Sequence, residues 1–338
     1  MRITRETLLK LARDTVKTRV QRDRGILCVY LTGSLVHDDP LLGGVTDIDL
    51  IFVHDREPVV EREITRLSDE VHFDIAHYGQ ELFHQPRHLR VSPWVGPFLC
   101  GQALALHDSQ HWFEFTQASV CAQFNQPENV LERAQTFGIE ARQIWMDLHL
   151  GNTEGETRRA LDYLRALERA ANTVASFSGP PLTERRMFLQ IAKRAQAAGR
   201  PGMADGLVDL LSENDVPLEV WQSWQPAWNA ALEAAGRLED VPPRLNPLRK
   251  YYYTRAANAL WENDPPSSVW IALRTWSHAL DILGENGPEM DTWRSALTRT
   301  GLNQERLPDR LAALDQYLDS VEEMLDQWAR EYGIESRI

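Results

Sequence analysis

Two aspartates one residue apart, Asp47-Ile48-Asp49, open an otherwise apolar run through Leu50, Ile51, Phe52 and Val53. In an extended strand alternate side chains point to opposite faces, so Asp47 and Asp49 share one face while Ile48 and Leu50 share the other. Carboxylates side by side raise each other's pKa, a cost that a divalent cation between them removes. Asp74 lies in a second β-rich run, Val71-His72-Phe73-Asp74-Ile75-Ala76. On a neighbouring strand it would complete a platform for two metal ions. Upstream, Gly33-Ser34 closes a further apolar run, and twelve residues separate Ser34 from Asp47. Glycine tolerates close backbone approach and serine adds a short hydroxyl donor, a combination suited to cradling a phosphate. Thr46, directly before the acidic pair, adds a second hydroxyl near the same place.

Each feature also has a bland explanation. Asp-x-Asp alone is common on solvated strands and turns, and Asp74 could be a structural carboxylate capped by His72 or His77. The conjunction of Gly-Ser, an apolar Asp-x-Asp strand and a later Asp is what points to metal and phosphate chemistry. His72, His77, His84 and His88 do not make a zinc site, because no cysteine or carboxylate stands at the required spacing and Pro86 interrupts the last interval. Walker A, GxGxxG and HExxH motifs are absent from the chain.

The elements that must position these residues follow from periodicity. Ile26 to Thr32, Asp47 to His54 and Val71 to His77 read as strands, with Ala103 to His107 as a further one before Asp108 and an aromatic helix or turn. The interval holding Pro86, Pro93 and Pro97 reads as loop. Before the first strand, Leu8, Ala12, Val16 and Val20 recur at i+4, a stripe able to pack beneath it. Arg2, Arg5, Lys10, Arg13, Lys17 and Arg19 give this segment a basic, transit-like look, but Glu6 and Asp14 interrupt it. Beyond about residue 125 the period becomes helical through Val130, Ala134, Phe137, Ala141, Ile144 and Leu148. Stops at Gly151-Asn152, Ser178 to Pro181, Gly199 to Gly202, Pro242-Pro243 and Pro265-Pro266 divide the remainder into five or more helices, the last near Leu311 to Trp328. The expected fold is therefore an α/β (α+β) domain with a mixed sheet over residues 1-122, followed by an all-α bundle over residues 123-338.

At 338 residues the chain suits two cores. Its formal charge of −13 argues against a broad nucleic-acid surface, which needs many Lys and Arg contacts to phosphates. No apolar run reaches the roughly 20 residues of a membrane span. Cys28, Cys100 and Cys121 are odd in number, far apart and in apolar surroundings, which reads as buried thiols in the reducing cytoplasm.

Gly-Ser, a spacer, an Asp-x-Asp strand and a later apolar-Asp-apolar strand resemble the signature of the DNA polymerase β-like nucleotidyltransferase superfamily. Among its members the chain is most similar to bacterial aminoglycoside nucleotidyltransferases and their relatives. The resemblance implies that Gly33 and Ser34 bind the triphosphate of an NTP, with ATP the first choice. It implies that Asp47 and Asp49 hold Mg²⁺, two ions in all with Mn²⁺ as a substitute, and that Asp74 is a metal ligand, the base for an acceptor hydroxyl, or both. The strand ending at Asp108 before a helix is similar to one in the family. A looser likeness runs through Leu164-Arg165-Ala166-Leu167-Glu168-Arg169, the Gly179-Pro180-Pro181 turn and Thr183-Glu184-Arg185-Arg186. It implies nucleotide contacts from Arg169, Arg185 and Arg186, whose bland alternative is a solvated helix face.

The expected reaction is transfer of AMP from ATP, bound between the two domains, to a hydroxyl of a small-molecule, aminoglycoside-like acceptor. Two other readings stay open: a protein adenylyltransferase of toxin–antitoxin type, and a non-catalytic nucleotide-binding or partner-docking module of the same fold. A tRNA end suits neither the charge nor the absence of a basic patch.

Overall fold

The computed structural model describes residues 3–37, 40–284 and 289–335. Arg2, and residues 38 and 39 of the segment leading to the acidic strand, lie outside them. The chain divides into two compact units, Met1–Asn129 and Val130–Ile338.

The first unit is built on a five-stranded sheet in the order β3-β4-β2-β1-β5. Its strands are β1 (Ile26–Thr32), β2 (Thr46–His54), β3 (Arg62–Arg66), β4 (Val71–Gly79) and β5 (Leu104–Asp108). β2 runs parallel to β4 and every other pairing is antiparallel, so the sheet is mixed. Sequence periodicity misses β3 because Arg-Glu-Ile-Thr-Arg lacks an apolar alternation; it is an edge strand that stays largely exposed.

Helix α1 (Arg5–Arg22) begins where the Thr4 hydroxyl accepts the Thr7 N–H, and Glu6 favours the same end of the helix dipole. Its stripe Leu8, Ala12 and Val16 is buried in one core with Val29, Leu31, Ile48, Leu50, Phe52, Phe73 and Ile75 from a single face of the sheet. Burial of such side chains contributes roughly 1.5–3 kcal/mol each, which fixes the register that sends the aspartates to the opposite face. On that face Cys28, Tyr30 and Val53 pack with Phe83, Leu89, Leu99, Phe113 and Val120.

Two expectations are corrected here. The interval with Pro86, Pro93 and Pro97 is not mainly loop: it holds α2 (Pro86–Val91) and α3 (Val95–Cys100). Pro86 occupies the first helical position, where the missing N–H has no partner to lose. The thiol reading also fails in part, since Cys100 and Cys121 form a disulfide. They are 21 residues apart, but α3 and α4 (Trp112–Cys121) bring their Cα atoms to 5.4 Å. Cys28 alone is a free, buried thiol, and burial followed by the nearby Asp108 pushes its pKa up.

The second unit is helical: α5 (Pro127–His149), whose first turn carries the division between units, α6 (Glu156–Ala175), α7 (Met187–Ala197), α8 (Gly202–Leu211), α9 (Leu218–Ala235), α10 (Arg249–Leu260), α11 (Pro265–Leu283), α12 (Met290–Thr300) and α13 (Leu307–Tyr332). Asp264 caps α11 by accepting the Ser267 N–H, and Pro265 sits in its first turn. Buried continuously from Ser267 to Ser277, α11 is the axis of this unit. Trp224, Trp228, Trp270, Trp276 and Trp293 are fully buried core residues. Among the described residues no helix is long and apolar enough to cross a membrane.

Candidate metal centre and its phosphate corner

Three pairings assemble the site. β2 and β4 run parallel with Asp49 opposite Asp74 and Asp47 opposite His72, which aligns all three aspartates on one face. Each offers a carboxylate oxygen, and these oxygens lie within 4.8 Å of one another. Asp47 and Asp74 are buried and Asp49 is half-buried. Among the described residues this is the one group of three or more His, Cys, Asp or Glu side chains that could share an ion. The donor set is all oxygen and anionic, which suits a hard divalent cation such as Mg²⁺ or Mn²⁺. Three carboxylates this close, two of them buried, carry a repulsion that an ion would relieve.

The corner beside them comes from the β1–β2 pair. Thr32 is opposite Asp49, so the 3₁₀ turn Gly33–Val36 begins alongside the acidic pair. Gly33 has φ +71°, and a Cβ placed there would fall 1.8 Å from Asp49 Oδ2. Both the left-handed backbone and the approach of the carboxylate thus require glycine. Ser34 Oγ and Thr46 Oγ1 are 3.4 Å apart, and both hydroxyls are within reach of the Pro40 carbonyl, at 3.4 and 3.0 Å. Thr46 is fully buried, so its hydroxyl closes the β1–β2 connection beneath the corner.

Asp74 carries a partner that the sequence did not indicate. Arg62, on edge strand β3, donates from Nε to Oδ1 and from Nη2 to Oδ2, each at 2.6 Å. His77 turns to the other face of the sheet, where it bonds His54 at 2.9 Å and Glu63 at 3.1 Å. Asp108 is structural, because its carboxylate accepts the N–H groups of Phe113 and Glu114 and caps α4. An arginine two strands from the Asp-x-Asp motif has no positional signal of its own; only the β3–β4 hairpin selects it.

The arginines of the looser likeness belong to the helical unit. Arg169 pairs with Glu140 at 2.6 Å and lies over the Phe137 ring. Arg185 is buried, with its guanidinium 3.3 Å from the centre of the Tyr252 ring, and Arg186 is half-buried. Nearby, Glu168 accepts from Arg274 at 3.0 Å, with Arg244 at 3.7 Å. Burial alone would raise the Glu168 pKa, but Arg274, Arg244 and Arg169 hold it down at about 2.

Neither a family model nor a curated protein sequence matches the chain. Among solved structures it is similar to a nucleotidyltransferase-like protein from Exiguobacterium sibiricum 255-15, at 12% identity over 93% of this chain and 91% of that one, with a TM-score of 0.28.

Proposed function

We propose that this protein is a metal-dependent nucleotidyltransferase that transfers a nucleoside monophosphate, AMP from ATP, to a hydroxyl of a small-molecule acceptor of aminoglycoside-like chemistry, with release of pyrophosphate. The supporting observation is the set of three carboxylate oxygens within 4.8 Å beside a glycine that has no room for a side chain. Such a corner brings backbone, rather than a side chain, against the Asp49 carboxylate.

In this reading Asp47, Asp49 and Asp74 would hold the metal, two ions in all. Bound there, Mg²⁺ or Mn²⁺ supplies neutralising charge to phosphate oxygens and lowers the pKa of the acceptor hydroxyl. Gly33 and Ser34, with Thr46 bracing them, receive the triphosphate. Asp74 takes the proton as the acceptor oxygen bonds to the α-phosphorus and the bond to the pyrophosphate oxygen breaks. Catalysis then rests on positioning and electrostatics. An ATP donor argues for the cytoplasm, and the Cys100–Cys121 bond argues against it.

The test is pyrophosphate release from each NTP with Mg²⁺ across a panel of aminoglycosides and other polyhydroxyl acceptors, with Asp47→Asn as the control. Mg²⁺-dependent release that needs an acceptor supports the reading. Thermal stabilisation by nucleotide without any release across the panel would instead favour the nucleotide-binding module.

A further inference from the structure

The Arg62–Asp74 pair sits where the proposed metal must go. Both Asp74 oxygens accept from the guanidinium at 2.6 Å, and one of them is the oxygen counted with those of Asp47 and Asp49 inside the 4.8 Å group. Arg62 does not stand opposite Asp74. Its register partner is Ala76 and that of Asp74 is Ile64, so the side chain reaches diagonally along β4 to make the pair. The two ends differ in freedom: the Asp74 side chain is 3% exposed and that of Arg62 48%. The carboxylate is fixed in the sheet, whereas the half-exposed guanidinium can return to water once an ion takes its place at the carboxylate. A planar fork that occupies both oxygens competes with an ion in a way that a lysine point charge does not.

We infer that Arg62 is the stand-in cation of Asp74, holding the third carboxylate aligned in the metal-free protein and yielding it when the divalent ion binds. Arg62 is thus a positioning residue that sets metal affinity. This rests on the metal reading of the aspartate group. The exchange explains how a buried aspartate beside two others is tolerated before an ion arrives, and why its partner comes from an exposed edge strand and not from the core.

Mn²⁺ titrated into the metal-free full chain, followed by the paramagnetic resonance of the free ion and by calorimetry, tests this without reference to turnover. Relative to wild type, Arg62→Met is expected to bind Mn²⁺ roughly tenfold tighter, because the competent state no longer competes with the ion pair. Arg62→Lys should fall between the two, and Asp47→Asn should lose most of the binding. The metal-free thermal midpoint of Arg62→Met should drop and recover with Mn²⁺, which a merely structural arginine would not produce. If wild type binds and Asp47→Asn does not, yet neither Arg62 variant binds more tightly than wild type, the exchange is refuted and the metal site stands. If neither wild type nor any Arg62 variant takes up Mn²⁺, the metal reading itself fails and the exchange with it. Should Arg62→Met not fold, Arg62→Lys carries the comparison: equal or weaker binding than wild type refutes the exchange.

Discussion

The two units handle buried charge differently. In the sheet unit Asp47, Asp49 and Asp74 present three like charges within 4.8 Å. In the helical unit the buried carboxylate of Glu168 lies between Arg274 and Arg244, at 3.0 and 3.7 Å, and Arg244 also faces Glu184 at 3.5 Å. Opposite charges at those distances stabilise each other's ionised forms, so Glu168 titrates only near pH 2, against an ordinary value of 4.5. A cluster of alternating sign is arranged for the folded state itself. One of like sign, met at Asp74 by the half-exposed Arg62, fits the proposed metal, whose charge would offset it. Removing one charged group should therefore have opposite consequences in the two places.

The largest expected effect breaks the acidic side of that contrast. Asp47→Asn or Asp49→Asn should lower nucleotidyl transfer by roughly a thousandfold, since metal-derived charge stabilisation is worth several kcal/mol. The metal-free thermal midpoint of these variants should stay level or rise as repulsion is relieved. Near-normal turnover in either variant would remove the metal assignment.

Next comes the paired side. Arg274→Met leaves Glu168 buried beside an incomplete partner set and should cost about 3–5 kcal/mol of stability, read as a lower denaturant midpoint for the helical unit. A loss no larger than that of a surface substitution would mean that the cluster is not what holds α6 to α11.

Gly33→Ala tests the corner. The left-handed backbone alone costs about 1–2 kcal/mol for an L-residue, and the added Cβ, 1.8 Å from Asp49 Oδ2, must displace that carboxylate. The stability loss should accompany weaker Mn²⁺ binding. An unchanged affinity would show that Gly33 does not shape the site.

The last effect is in pH dependence. Burial, then the neighbouring Arg274, Arg244, Arg158 and Arg165, lowers the His278 pKa from 6.5 to about 3, and its buried Nδ1 has no hydrogen-bond partner among the described residues. Between those values the unfolded chain binds a proton that the folded one refuses, so stability falls as pH drops from 6.5 towards 3. The slope from this group is at most about 1.4 kcal/mol per pH unit. Glu168 adds a loss in the same direction between 4.5 and about 2, where the unfolded carboxylate is protonated first. His278→Gln should flatten the upper part of the curve; an unaltered slope between pH 4 and 6, as an approximate window, would assign it to other groups.

Much of the local structure is legible in the sequence. β1 begins and ends at Ile26 and Thr32, where the apolar run does, and the i+4 stripe of α1 is buried as its spacing requires. Those signals are local because strand and helix periods are written in residues two to four apart. The polar edge strand β3 carries no such period, and prolines at helix starts mimic a loop. The disulfide escaped because cysteine spacing says nothing about which helix ends will meet.

What the amino-acid order determined by itself is which residue types stand on one face of each element: Asp47 with Asp49, Leu8 with Ala12 and Val16, glycine where the chain must turn. What only the tertiary structure decided is partnership: that β2 runs parallel to β4 so that Asp74 meets Asp49, and that Arg62, not His77, grips it. The reason is that side-chain direction follows from the backbone of a few consecutive residues. Pairing and register instead depend on how the whole sheet buries its two faces, a cooperative choice that no short window of sequence contains.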